Sequence, residues 1–224
     1  MNLKRKNIIT SGRDIIAFLL FTGIIVVLLW IGTNRLGYNW QWYRVPKYIY
    51  TVKEGTFFPG RLLQGVAVTI KISGAGLALS FLFGLVTALL RLSHSITGRA
   101  LSRIYLELIR NTPLLIQLFF IYFVVSPIIQ IGPFFSAVLA LSLFEGAYAS
   151  EIIRGGIVSI PKGQWESAYS LGLGIVNTYR FIILPQAFRQ ILPTLTSQGI
   201  SLIKDSALVS TIAIYDLTMQ GRAI

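Results

Sequence analysis

Apolar residues in this 224-residue chain run in long blocks broken by short polar segments. A bilayer-crossing helix needs about 20 mostly apolar residues. Five blocks approach or exceed that length, near 15–32, 62–90, 113–131, 133–153 and 187–214. The pattern predicts an all-α fold, a polytopic transmembrane helical bundle of about five spans. The first block follows MNLKRKNIITSGRD. A basic start and an apolar run also describe a secretory leader, but this run is long and no small-residue cleavage site follows it, so a retained signal-anchor span is expected. That span and its loop make up residues 1–60, and the remaining bundle 61–224.

Basic residues set the expected orientation, because Lys and Arg accumulate on the cytoplasmic side of spans. Lys4, Arg5, Lys6 and Arg13 precede span one, and Arg91, Arg99, Arg103 and Arg110 mark the next inner loop. Arg154, Lys162, Arg180 and Arg189 place the segment around 161–185 inside as well. The Ser126-Pro127…Gly132-Pro133 turn then lies outside. The loop 33–61 carries Arg35, Arg44, Lys47 and Lys53 outside, against the trend, but its six Tyr and Trp residues suit the headgroup level. Within span two, Gly76, Ser80 and Gly84 recur every four residues and predict a close-packing seam for another helix.

Composition narrows the chemistry. Charged residues are only 12% of the chain and the net charge is +12. The basic residues cluster at the ends of apolar blocks, where lipid and topology account for them, so nucleic acid is not the expected partner. There are no cysteines and one histidine, His94, in a basic loop. Thiolate chemistry is excluded and a histidine-based metal site has no second ligand. No H-E-x-x-H or G-x-S-x-G occurs, so no catalytic residue is expected. No lysine follows a glycine, which rules out a P-loop for ATP.

One stretch is amphipathic rather than apolar: QWESAYSLGLGIVNTYRFIILP, residues 164–185. Pro161 and Gly163 break the incoming helix, a new one can run from about Gln164 to Leu171, and Gly172 and Gly174 weaken it. Trp165, Ala168, Tyr169 and Gly172 share one side by i, i+3, i+4 spacing. A helix lying on lipid would usually carry Lys and Arg on its polar face. This one offers Gln164, Glu166, Ser167 and Ser170, which favours a protein groove.

Glu166-Ser167-Ala168, three residues, Gly172, nine residues, then Ile182-Ile183-Leu184-Pro185 resembles the E-A-A-x3-G-x9-I-x-L-P loop of permease subunits of binding-protein-dependent ABC importers. Ser167 in place of the central alanine is the one departure. YLELIRNTPLLIQLFFIYF (105–123), EGAYASEIIRGGIVSIPKGQWESA (145–168) and LPQAFRQILPTLTSQGISLIKDSALVS (184–210) are similar to the polar amino-acid branch (His, Gln, Arg and Glu types) of that family. The resemblance covers about residues 60–224. It implies the type I importer permease fold in a bacterial inner membrane. It makes the loop at about 161–185 a coupling helix, with Trp165, Glu166, Ser167, Ala168, Gly172, Ile182, Leu184 and Pro185 meeting an ATPase subunit. The implied partners are two ATPase subunits that bind the ATP, an extracytoplasmic amino-acid-binding protein, and a second permease copy, identical or related. Membrane lipid is a further expected partner, and no cofactor or metal of this chain is implied. Against the family pattern, one more span and a tail are expected after LTMQGRAI.

Charged groups within spans are costly and point to function. Glu145 falls in span four, and Lys204 and Asp205 in span five. An amino acid carries both an ammonium and a carboxylate, so a path for it wants both signs. Glu145, Lys204 and Asp205, with Gln117, Tyr122, Tyr148 and Gln198, are the candidates; a purely structural network between helices is the alternative. Glu107 and Arg110, three apart, are expected to pair as a local brace. A secondary transporter driven by an ion gradient is the competing functional class, and it would need no coupling helix.

Overall fold

The computed structural model describes residues 12–35, 41–53 and 55–224. The chain divides into two compact units, residues 1–45 and 46–224. Lys4, Arg5 and Lys6, and Tyr38 and Trp40 of the aromatic loop, lie outside the described residues. The first unit is dominated by α1, Gly12–Arg35, an apolar helix long enough to cross a membrane.

A short helix α2, Val45–Ile49, leads in the chain to a two-stranded antiparallel hairpin of the second unit, β1 Tyr50–Lys53 and β2 Thr56–Pro59. The hairpin is an addition to the all-helical expectation. Tyr50 pairs with Pro59 and Val52 with Phe57, so the alternating residues put one apolar face together. The long helix α3, Arg61–Leu92, follows, at 32 residues about 48 Å. Then come α4, Ile96–Arg110; α5, Leu114–Phe120; α6, Ser126–Ile129; and α7, Pro133–Val158. Lys162–Ser170 is α8, Ile175–Thr178 is α9, Leu184–Asp205 is α10 and Leu217–Arg222 is α11.

Three described helices are long and apolar enough to cross a membrane, and a fourth crossing results if α4 and the Leu114–Ile129 segment count as one bent span. The expected fifth block, 187–214, is not one helix. It ends as α10 at Asp205, continues as a 3₁₀ turn over Ser206–Ile212, and stops at Ala213 with φ 58°. Lys204 and Asp205 therefore sit at a helix end rather than midway along a span. Ser126-Pro127 also belongs to a helix, and the turn is Gln130–Gly132, with Gln130 left-handed at φ 56°.

Prolines explain two local irregularities. Pro127 and Pro185 each lack an N–H and crowd the carbonyl four residues back. In both places the ladder slips just before the proline: Ser126 N–H reaches Ile121 O, and Leu184 N–H reaches Tyr179 O, five residues back. The π turns Ile121–Val125 and Tyr179–Ile183 let the helix continue through proline, so α9, the turn and α10 form one uninterrupted helical run.

The bundle is built on α3 against α7. Gly76, Ser80 and Gly84 are buried as their spacing predicts. A Cβ on Gly84 would stand 2.8 Å from Ala149 Cβ, and one on Gly146 2.9 Å from Phe83 Cβ. Each helix supplies a glycine where the other comes closest, so the two backbones approach without a clash of Cβ on Cβ. Towards one end of this pair Ile72, Leu118, Leu141 and Val209 form a core; towards the other Ala88, Ile153, Ile157, Ile183 and Ile191 do so. The second core carries α8.

Candidate functional site

Helix α8 begins two residues before its expected start, at Lys162, and its end is a complete glycine stop. Gly172 has φ +74°. Its N–H donates to Tyr169 O at 2.9 Å, and Leu173 N–H donates to Ala168 O at 3.1 Å. This pair of bonds satisfies the last carbonyls of a helix and needs a left-handed residue, which glycine adopts without cost from a Cβ. Gly172 thus defines the end of α8 as well as weakening its continuation.

The residues expected to share one side of α8 divide. Ala168 is buried, and Trp165, half-buried, meets the Tyr179 ring edge-on at 5.0 Å. Tyr169 departs from the expectation and stands half exposed. Gln186 Nε2 donates to Gln164 Oε1 at 3.0 Å, tying the start of α8 to α10. Glu166, Ser167 and Ser170 face outward. Ile182 is half-buried, while Leu184 and Pro185 are exposed on the helical run that returns from the loop. A short helix with a polar outer face is held against the second core through Gln164, Trp165 and Ala168.

The path candidates separate into three places. Glu145, 1% exposed, accepts a hydrogen bond from Gln198 Nε2 through Oε2. Its other oxygen, Oε1, is buried without a hydrogen-bond partner. Asp205, half-buried, lies beside Glu145, while Lys204 is on the exposed side. Glu145, Gln198 and Asp205 therefore form one cluster between α7 and α10. Gln117 lies elsewhere and serves the backbone. Its Nε2 donates to Ile109 O at 2.7 Å and Thr112 O at 2.8 Å, bridging the break between α4 and α5. Tyr122 packs on the first core, edge-on to Phe123. Tyr148 lies under the Arg110 guanidinium at 5.7 Å.

That guanidinium leads to a residue not singled out by its place in the sequence. Glu151 accepts from Arg91 and, at 3.3 Å, from Arg110, and pairs with Arg154 at 3.2 Å. One carboxylate so joins the ends of α3 and α4 to α7. Glu107 does not pair with Arg110; it accepts from Asn111 Nδ2 at 2.9 Å. The missed signal was the i, i+3 pair Glu151–Arg154 within EIIR. Its two distant arginines are legible only once three helices are assembled. Among the described residues no group of His, Asp and Glu could hold a metal ion.

Known proteins share this architecture. The profile of the family described as "binding-protein-dependent transport system inner membrane component" matches residues 80–224. The chain is 43% identical over 184 residues to an L-cystine transport system permease protein of Bacillus subtilis (strain 168), covering 76% of this chain and 77% of that one. It is 38% identical over 166 residues to a glutamine transport system permease protein of Escherichia coli (strain K12), covering 73% and 76%. Among solved structures, that of an amino acid ABC transporter with histidines superposes with a TM-score of 0.66 at 37% identity, over 73% of this chain and 77% of that one. The inward-facing MetNI methionine ABC transporter shares the fold alone, with a TM-score of 0.61 at 22% identity over 71% and 77%. With its small-residue helix pair, its proline-relieved helical run and the matched profile, the chain belongs to the family of binding-protein-dependent transport system inner membrane components, the permeases of ABC importers.

Proposed function

We propose that this chain imports polar amino acids as the permease of an ATP-driven transporter in a bacterial inner membrane, with α8 as the helix that couples it to a separate ATPase subunit. Relatives named for cystine and glutamine transport support the substrate class. The observation that carries the coupling role is the construction of α8: closed by Gly172, braced by Trp165 on Tyr179, and presenting Glu166 and Ser167 outward. A rigid amphipathic helix with one polar face free fits helix-in-groove recognition. Being fixed to the second core, it passes a displacement on to α7 and α10. Two ATPase subunits closing on ATP favour one arrangement of the spans only through contacts that differ between the two states. A second permease copy completes the pathway, and an extracytoplasmic binding protein delivers the substrate.

In the membrane, the Glu145–Gln198–Asp205 cluster is the part suited to an amino acid. Two carboxyl groups with one oxygen lacking a donor favour an ammonium group. Co-purification tests the coupling role. With the ATPase subunit expressed alongside, the native chain should retain it, and Glu166→Arg should release it while inserting normally. Retention by Glu166→Arg together with full ATP-driven uptake would sink the assignment.

A further inference from the structure

The axis of α4 is bent by 105° from the Leu114–Ile129 segment that follows it. At 15 residues α4 is about 22 Å long, less than the roughly 30 Å of a hydrocarbon core, and it carries three arginines. A helix this short and basic, turned sharply from the apolar segment that follows it, suits the membrane surface better than a crossing. The three faces of α4 agree with that placement. Gly98, Ser102 and Leu106 are buried against the bundle. Leu101, Ile104 and Leu108 form a second stripe, exposed by 62%, 57% and 65%. Arg99, Arg103 and Arg110 make up the third.

The third face borders a cleft of about 670 Å³ shared with Arg91, Tyr148 and Glu151. Its charges do not balance. Four arginines line it against Glu107 and Glu151. The ion pairs that end on Glu151 engage Arg91, Arg110 and Arg154, and neither Arg99 nor Arg103. Arg99 makes a long 3.4 Å bond to the Ser93 carbonyl, which leaves its charge uncompensated. Two guanidinium groups without a carboxylate therefore stand at a concave site beside an exposed apolar stripe. Guanidinium forks match phosphate oxygens. An amphipathic helix in the interface gains from anionic lipid through basic residues of this kind.

We propose that the cleft between α4 and the Tyr148–Glu151 turn of α7 binds the phosphodiester headgroup of an anionic phospholipid, whose acyl chains lie against Leu101, Ile104 and Leu108. Binding is read from the melting temperature of the purified full chain in a neutral detergent. It is titrated with short-chain phosphatidylglycerol, with phosphatidylcholine of the same chain length, and with inorganic phosphate. Phosphatidylglycerol alone should raise the melting temperature. Arg99→Ala combined with Arg103→Ala should weaken its apparent affinity about thirtyfold, since each cation near an anionic surface contributes about 1 kcal/mol. The lipid-free melting temperature should change little, because neither arginine takes part in the ion pairs. Should the alanine variant fold poorly, Arg99→Gln with Arg103→Gln keeps the stems and gives the same reading. Ile104→Asn should also weaken phosphatidylglycerol while leaving any effect of inorganic phosphate alone. An equal rise with phosphatidylcholine, or undiminished affinity in the arginine variants, overturns the proposal. An equal rise with inorganic phosphate places a free anion in the cleft and overturns the lipid assignment.

Discussion

Gly172 and Glu151 are single residues on which larger arrangements depend. At φ +74°, any other residue at 172 sits in the left-handed region, which costs a side chain about 1–2 kcal/mol. Gly172→Val should therefore fray the end of α8 and weaken ATPase retention about tenfold or more, with membrane insertion intact; quantitative pull-down against the native chain measures it. Glu151→Gln removes the carboxylate shared by Arg91, Arg110 and Arg154. The group is partly exposed, so each pair contributes modestly, and a loss of about 1–2 kcal/mol in total is expected. The difference from the native chain should shrink in 1 M salt, where the screening length falls to about 3 Å. A salt-independent difference in melting would show that Glu151 acts through packing rather than charge.

Among the elements, the α3–α7 pair tolerates substitution least. Gly84→Leu must displace Ala149, whose Cβ would be 2.8 Å away, and overpacking of this kind costs about 1–3 kcal/mol. Gly74→Leu on the same helix meets nothing within 4 Å and serves as the control. Folded yield by size-exclusion chromatography should fall for the first and hold for the second. The helical run from α9 to α10 depends on its register. With alanine at 185 the missing N–H returns and the π turn loses its cause. Reversion to a regular helix would re-phase Tyr179 by about 100° relative to α10 and part it from Trp165. The chain has no cysteine, so Trp165→Cys with Tyr179→Cys gives a specific cross-link, expected with proline at 185 and lost in Pro185→Ala.

For the whole molecule, the proposed transport cycle separates two kinds of defect. Glu145→Gln replaces the carboxyl group that bears the unpaired oxygen in the α7–α10 cluster. Uptake by vesicles holding the chain, its ATPase and its binding protein should fall or change selectivity, while ATPase retention stays at the native level. A fall in folded yield alone would make the cluster a structural tie between α7 and α10. Gln198 and Asp205 should follow Glu145 in either outcome, because the three share one site.

Hydrophobic blocks, the small-residue seam and the amphipathic stretch at 164–185 were legible in the chain because each is a local pattern. Span length, helix-face spacing and proline position all act within a few turns. The loop motif, read residue by residue, also carried the family. Other features needed the assembled bundle. Glu145 meets Gln198 and Glu151 gathers Arg91 and Arg110 across tens of residues, and no spacing along one helix encodes such contacts. Gln117, a path candidate by its place in an apolar block, spends its amide on the α4–α5 break because that break leaves carbonyls without helical partners. The last apolar block was composed for a span yet ended at Asp205, where tertiary packing of Ser206–Ile212 against the first core outweighed the continuity of the helix. Composition determined which segments leave water; the meeting of separate helices decided which polar groups they take with them.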